Sequence, residues 1–305
     1  MAMGGALPAP QQVRLPSGVA NHWRQRRILA YAHQGGAREA PSSTLYAMRK
    51  ALAAGAKGLE LDVHATRDRH LVVSHDTTVD ATTNGKGALC ELTLAQVRAL
   101  DNAYWFVPGE EVSPGRPPED YPLRGRAPGH PELAIPTLTE VLEAFPGVVL
   151  NLDIKRTAPD VEPYEAILAD LLGEHGRSGS GDVIVASFHD AALAAFSGLA
   201  PRVATAAGPG ATGAFWQAVQ AGTPPQFLPH VAFQVPVTWQ EVTVVDDAFI
   251  VAAHRADMAV HVWTIDDPVE MGRLVDLGVD GIMTNLPSAL AQVLADRGVA
   301  WRPTA

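Results

Sequence analysis

Apolar runs of strand length alternate with longer stretches of helical periodicity along most of the chain. Segments 28–32, 59–63, 71–74, 148–154, 183–187, 203–206, 231–235, 259–264 and 281–284 read as strands. Between and after them, 43–54, 94–100, 164–172, 191–196, 215–220, 247–254, 269–277 and 288–295 read as helices. The helix at 43–54 has a start signal in Pro41-Ser42-Ser43 and a stop in Gly55. Strand followed by helix, repeated about eight times, implies a parallel sheet. A series that starts and ends in this way favours an α/β fold closed as a (β/α)8 TIM-type barrel. No G-x-G-x-x-G follows a strand, which weakens a dinucleotide-binding reading. One segment, about residues 102–136, interrupts the rhythm after the early strands with many Pro and Gly residues and Tyr104-Trp105-Phe106. It reads either as a surface insertion over its own small cluster or as a cap whose aromatics meet a ligand.

Composition narrows the picture. The chain has 305 residues, 47% hydrophobic and 18% charged, an ordinary globular composition. The expected organisation is a flexible N-terminal segment, 1–26, and one barrel domain, 27–305. The net charge of −10 argues against nucleic acid as a partner, since that needs a clustered positive field. It does not exclude an anionic substrate, because a bound divalent metal reverses the local sign. Cys90 is the only cysteine, which suits a reducing cytoplasm. The Ala-, Gly- and Pro-rich start has the pattern of neither a signal peptide nor a membrane anchor. A cytoplasmic protein without a stable membrane anchor is expected; the oligomeric state is not legible.

In a parallel barrel, reactive side chains gather at the C-terminal ends of the strands. The first strand ends at His33, the second carries Glu60-Leu61-Asp62, and the next short one ends at His75-Asp76. The strand after the insertion carries Asp153-Ile154-Lys155, and the penultimate one ends at Trp263-Thr264. Residues i and i+2 of a strand share a face. Glu60 and Asp62 therefore point one way while Leu59, Leu61 and Val63 point the other. Two inward carboxylates on a buried strand are costly unless a charge cancels them, and a hard divalent cation does so. Asp153 offers a third carboxylate, and Lys155 a cation for a phosphate oxygen. His33 and His75 can give and take protons near neutral pH. A phosphodiester displacement needs a base at the attacking oxygen and an acid at the leaving oxygen, and a metal polarises the phosphoryl group. A lone E-x-D pair or a lone histidine is usually solvated or packed; the joint pattern carries the reading. His22, His64, His70, His175, His189 and His254 read as packed or surface residues. His64 and His70 are the nearest competitors to His75, and His64 is in phase with Glu60 and Asp62, so a site role for it is the less favoured reading.

These residues resemble the glycerophosphodiester phosphodiesterase family. The resemblance rests on His33-Gln34-Gly35, Pro41-Ser42-Ser43-Thr44, Glu60-Leu61-Asp62-Val63, His75-Asp76 and the block from Thr78 to Gly87. It resumes at Ile135-Pro136-Thr137-Leu138, Asn151-Leu152-Asp153-Ile154-Lys155, Trp263-Thr264 and the run from Gly278 to Asn285. It implies a barrel enzyme that hydrolyses glycerophosphodiesters to glycerol 3-phosphate and an alcohol with a divalent metal, commonly Mg2+ or Ca2+. It also implies His33 and His75 as the catalytic pair and Glu60, Asp62 and Asp153 as metal carboxylates. Lys155, Gln34 and Trp263 are the expected substrate contacts. The chain departs from the family pattern at Gln34, where an arginine is usual, at Ser42 and Ser43, where Glu and Asn are usual, and at Asp153, where Glu is usual. Two alternatives stay open: lysophospholipase D-type cleavage of lysophospholipid or sphingolipid headgroups in the same site, and a barrel that binds phosphodiesters without turnover. A small-molecule partner is expected in each case.

Overall fold

The computed structural model describes residues 21–299. Its strands are β1 (Leu29–His33), β2 (Gly58–Ala65), β3 (Leu71–Val73), β4 (Val149–Ile154), β5 (Val183–Ala186), β6 (Ala204–Ala207), β7 (Ala232–Pro236), β8 (Thr238–Trp239), β9 (Val242–Thr243), β10 (Ala259–Trp263) and β11 (Gly281–Thr284). Its α-helices are α1 (His22–Gln25), α2 (Leu45–Ala54), α3 (Leu94–Arg98), α4 (Leu138–Ala144), α5 (Glu165–Glu174), α6 (Asp190–Leu199), α7 (Pro209–Gln220), α8 (Asp247–Arg255), α9 (Pro268–Leu277) and α10 (Pro287–Asp296). Strands pair in the order β1-β11-β10-β7-β6-β5-β4-β2, and β1 also pairs with β2, which closes the sheet into an eight-stranded parallel barrel. The expected (β/α)8 barrel is the fold observed.

Strand alternation divides the core. Leu59, Leu61, Val63, Leu150, Leu152 and Ile154 point outward and pack under helices in one apolar layer. Phe233, Val235, Val260, Val262 and Ile282 do the same on the other half. Inside the barrel, Leu29, Tyr31, Val149, Ile184, Ala206, Ala259 and Met283 fill the lower levels, with Trp23 packed among them. Above them the interior turns polar: Asn151 and Gln234 exchange hydrogen bonds of 3.1 and 3.2 Å. Carboxylates and histidines occupy the top, where the strand ends open to solvent.

The structure departs from the expected pattern or adds to it at four places. The segment at 71–74 is no barrel stave: β3 pairs antiparallel with the end of β2, Val63 opposite Val73 and Ala65 opposite Leu71. The helix expected at 215–220 begins at Pro209, because Gly208 and Pro209 supply a start while the first turn, Pro-Gly-Ala-Thr, lacks an apolar stripe to announce it. The hairpin of β8 and β9 lies among exposed residues and has no core-directed pattern. Of the segment expected to be flexible, residues 1–20 lie outside the described residues. Residues 22–25 form helix α1, capped by the Asn21 side chain on Trp23 N–H, with Trp23 fully buried. Besides that ring, the Asn21 amide donates to the Val231 and Asp257 carbonyls and Arg24 pairs with Asp257 at 2.9 Å, which ties the segment to the barrel.

The insertion forms short 3-10 turns, at 118–120, 127–129 and 131–133. Its aromatics pack on one another: the Arg124 guanidinium lies 4.3, 4.7 and 3.6 Å from the ring centres of Tyr104, Trp105 and Tyr121. Trp105 Nε1 donates to the Thr83 carbonyl at 2.9 Å. The aromatics therefore build the insertion's own cluster.

Candidate active site

The register of the strands sets the site. His33 pairs with Glu60, and Glu60 with Asn151; one step of the face further up, Asp62 pairs with Asp153. Residues side by side on parallel strands share an inward direction, so the carboxylates of Asp62 and Asp153 stand together. Lys155 Nζ lies 2.9 Å from Asp62 Oδ1 and 3.2 Å from Asp153 Oδ2. Glu60 Oε2 accepts from Gln34 N–H at 3.3 Å and lies 3.8 Å from His33 Nε2. All three carboxylates are buried. Burial, then repulsion from Asp62, pushes Glu60 well above the ordinary carboxylate range. Burial likewise raises Asp153, against the pull of Lys155. Lys155 is raised in turn, because Asp62, Asp153 and Glu60 favour its charged form over the cost of burial.

Among the described residues, no three His, Cys, Asp or Glu side chains already stand in a metal-ligating group. The donor set nonetheless suits a hard cation. Asp62 Oδ2 and Asp153 Oδ1 are buried without a hydrogen-bond partner, and unpartnered carboxylate oxygens are the ligands such cations take.

His75 stands across from His33, ring centres 6.1 Å apart and planes at 75°. Its Nδ1 meets Asp76 Oδ1 at 2.8 Å. That hydrogen bond raises His75, and Asp76 is lowered by the same contact. His33 is lowered, first by burial and against its bond to Asn285. The two imidazoles are therefore driven apart in acidity. His64, the competitor, is buried, with Nε2 3.4 Å from the His75 carbonyl oxygen. Burial lowers it to about 4, and its ring nitrogen meets the backbone of His75.

The structure brings together His33, Gln34, Glu60, Asp62, His75, Asp153 and Lys155. Trp263 ends β10, its ring edge-on to Phe188 at 5.7 Å. Phe188 follows β5 and Trp263 ends β10, so this pair spans the strand ends of β6 and β7. Sequence reasoning gave no role to Asp76, Asn285, Asp266 or Glu111. Asn285 Oδ1 lies 2.7 Å from His33 Nδ1, and its Nδ2 donates to Glu111 at 2.8 Å and to Asp266 at 3.1 Å. Asp76 could have been found in the His-Asp dipeptide. Asn285 could have been found as the residue directly after the last strand, a position that faces the mouth. Arg38 donates to the Gly109 carbonyl at 3.0 Å and lies 3.6 Å from Asp266. Arg156 lies 3.5 Å from Asp160.

Residues 33–289 match the model of the glycerophosphoryl diester phosphodiesterase family. A glycerophosphodiester phosphodiesterase of Bacillus subtilis strain 168 is 30% identical over 275 residues, which cover 88% of this chain and 86% of that one. Among solved structures, a putative glycerophosphoryl diester phosphodiesterase from Silicibacter pomeroyi matches with a TM-score of 0.71 at 22% identity, over 93% of this chain and 100% of that one. A phosphodiesterase from Oleispira antarctica, in complex with the product sn-glycerol-3-phosphate, matches with a TM-score of 0.69 at 23% identity, over 90% and 99%. The barrel and these relatives define a phosphoric diester hydrolase. The chain belongs to the glycerophosphoryl diester phosphodiesterase family.

Proposed function

We propose that the chain hydrolyses glycerophosphodiesters to glycerol 3-phosphate and an alcohol, with His33 as general base and His75 as general acid. The observation that carries this reading is the pair itself. Two imidazoles 6.1 Å apart face one carboxylate cluster, one half-buried and lowered, the other more exposed, bound to Asp76 and raised. Opposed environments of this kind separate a base from an acid at one pH. His33 Nε2 takes the proton of the attacking oxygen. His75 gives its proton to the departing alcohol oxygen, while Asp76 holds the ring on Nδ1. Lys155 offers its ammonium to a phosphoryl oxygen, and the Gln34 amide, 3.5 Å from His33 Nε2, offers a neutral donor beside it. Glu60, Asp62 and Asp153 would hold a divalent cation, Mg2+ or Ca2+, which when bound neutralises charge developing on the phosphoryl group. The small-molecule substrate meets the site from the open strand ends.

A second reading keeps this machinery for lysophospholipids, and one observation favours it. Phe188, paired with Trp263 at the mouth, is 56% exposed, an apolar surface of the kind an acyl chain covers. No helix among the described residues is long and apolar enough to cross a membrane. A reducing cytoplasm fits the free, exposed thiol of Cys90.

The test is release of glycerol 3-phosphate from glycerophosphocholine by the purified chain with Mg2+ or Ca2+, stopped by a chelator and restored by the metal. Loss of choline from lysophosphatidylcholine in its place selects the lipid reading. Binding of either compound without turnover would make the barrel a non-catalytic one and sink both.

A further inference from the structure

Hydrogen-bond direction around Asn285 is forced by chemistry. Ionised carboxylates only accept, so the end of the Asn285 amide that meets Glu111 Oε1 at 2.8 Å and Asp266 Oδ2 at 3.1 Å is the NH2 end. Its oxygen is then the end that meets His33 Nδ1 at 2.7 Å, and an oxygen acceptor requires a proton on that nitrogen. Neutral imidazole carries one N–H. His33 Nε2 is therefore left with its lone pair, and the Gln34 amide nitrogen approaches it at 3.5 Å as a donor. Asp266 is itself held, by Thr284 Oγ1 at 2.9 Å and by Asn285 N–H at 2.8 Å. Arg38 lies 3.6 Å from Asp266 and donates to Gly109, which ties residue 109 of the insertion to the same corner. Asn285 is 3% exposed, so an unpaired amide there would be costly and one orientation is favoured.

We propose that Asn285 is a positioning residue that keeps the His33 proton on Nδ1 and its lone pair on Nε2, and that the insertion supports it through Glu111. The proposal rests on His33 being the base of the reaction described above. It also gives the insertion a part in the site that its aromatics do not have. Glu111 reaches Asn285 from a segment that interrupts the strand–helix repeat, so the base is held from both the last barrel strand and the insertion.

The test combines kinetics with a spectroscopic signature. With glycerophosphocholine as substrate, Asn285→Leu is expected to lower kcat roughly 10- to 100-fold, the range for loss of an orienting partner of a histidine. KM stays within about twofold, since the group acts on the base and not on ground-state binding. Asn285→Asp sets a third carboxylate beside Glu111 and Asp266 and lowers kcat as well; adding Glu111→Gln, which removes one of the opposing charges, restores part of it. A merely structural role would leave the His33 tautomer unmoved in these variants. The 15N shifts of the His33 ring, assigned with His33→Gln, are expected to show the Nδ1–H form in the neutral wild-type chain and a shift toward the Nε2–H form in Asn285→Leu. A wild-type kcat in Asn285→Leu, or an Nε2–H form in the wild type, overturns the proposal. Glu111→Ala alters only an exposed residue and gives a smaller loss in the same direction; it carries the comparison where Asn285→Leu does not fold. A wild-type chain that cleaves no phosphodiester refutes the hydrolytic reading instead, and the ring shifts then still decide what Asn285 does.

Discussion

His33 and His75 are the same residue type 6.1 Å apart, ring centre to ring centre, and their surroundings make them opposites. Burial outweighs the hydrogen bond at His33, while the bond to Asp76 outweighs burial at His75. His33→Ala and His75→Ala are each expected to lower kcat about 100-fold or more, the scale of lost general acid–base catalysis. Full activity in either would remove that ring from the reaction. Asp76→Asn gives a sharper test. An acid works while protonated, that is, below its pKa. Asp76 is the largest cause raising His75, so its removal moves the alkaline limb of the kcat–pH profile to lower pH. An unmoved limb would mean that another group sets it. The two histidines were legible in the sequence as strand-end residues. Their opposed surroundings were not, because these depend on Asn285, which lies 252 positions from His33 along the chain and meets its ring, on Asp76 beside His75, and on how far each ring is buried.

At the scale of elements, the pairing of β2 with β4 makes one group of Asp62 and Asp153. Period-two alternation made the inward faces of both strands readable before the structure: E-x-D on one and D-x-K on the other. The neighbours of those faces were not readable, since register between strands is a tertiary fact. The antiparallel turn of β3 is a clear case: residues 71–74 have a good strand pattern, but that pattern is silent on which edge they pair with. Glycine also has an element-level part. A Cβ on Gly58 would meet the Tyr31 ring at 2.8 Å inside the barrel, at the base of the strand that carries Glu60 and Asp62. Gly58→Ala is expected to destabilise the fold by about 1–3 kcal/mol, the cost of overpacking a dense core. Denaturant melts of the two chains would show it, and equal midpoints would mean that Tyr31 yields freely.

On the scale of the whole molecule, closure of the barrel encloses a histidine that no catalytic reading uses. His261 has no exposed surface and lies 3.5 Å, Nδ1 to hydroxyl, from Tyr31. Burial lowers it to about 4 from an ordinary 6.5. The sign follows from linkage: a base lowered by folding is protonated first in the unfolded chain, so protons favour unfolding. Stability is therefore lost as the pH falls from 6.5 toward 4, by up to roughly 3 kcal/mol from this residue. His261→Gln is expected to flatten that part of the wild-type curve of unfolding free energy against pH. Comparing the two chains cancels the opposing contribution of the raised carboxylates Glu60 and Asp153. Parallel curves would show that His261 is protonated, or hydrated, within the folded barrel.

The sequence by itself determined the barrel class, the inward carboxylates, the two strand-end histidines and the family. Each of these depends on local periodicity or on short contiguous motifs, which survive without knowledge of packing. Only the tertiary structure decided that Lys155 bridges Asp62 and Asp153, that His64 meets the His75 backbone, that the insertion's aromatics pack around Arg124, and that the Asn285 amide joins Glu111 and Asp266 to His33. Those facts join residues far apart in the chain, through burial and hydrogen-bond direction, and both exist only once the barrel has closed.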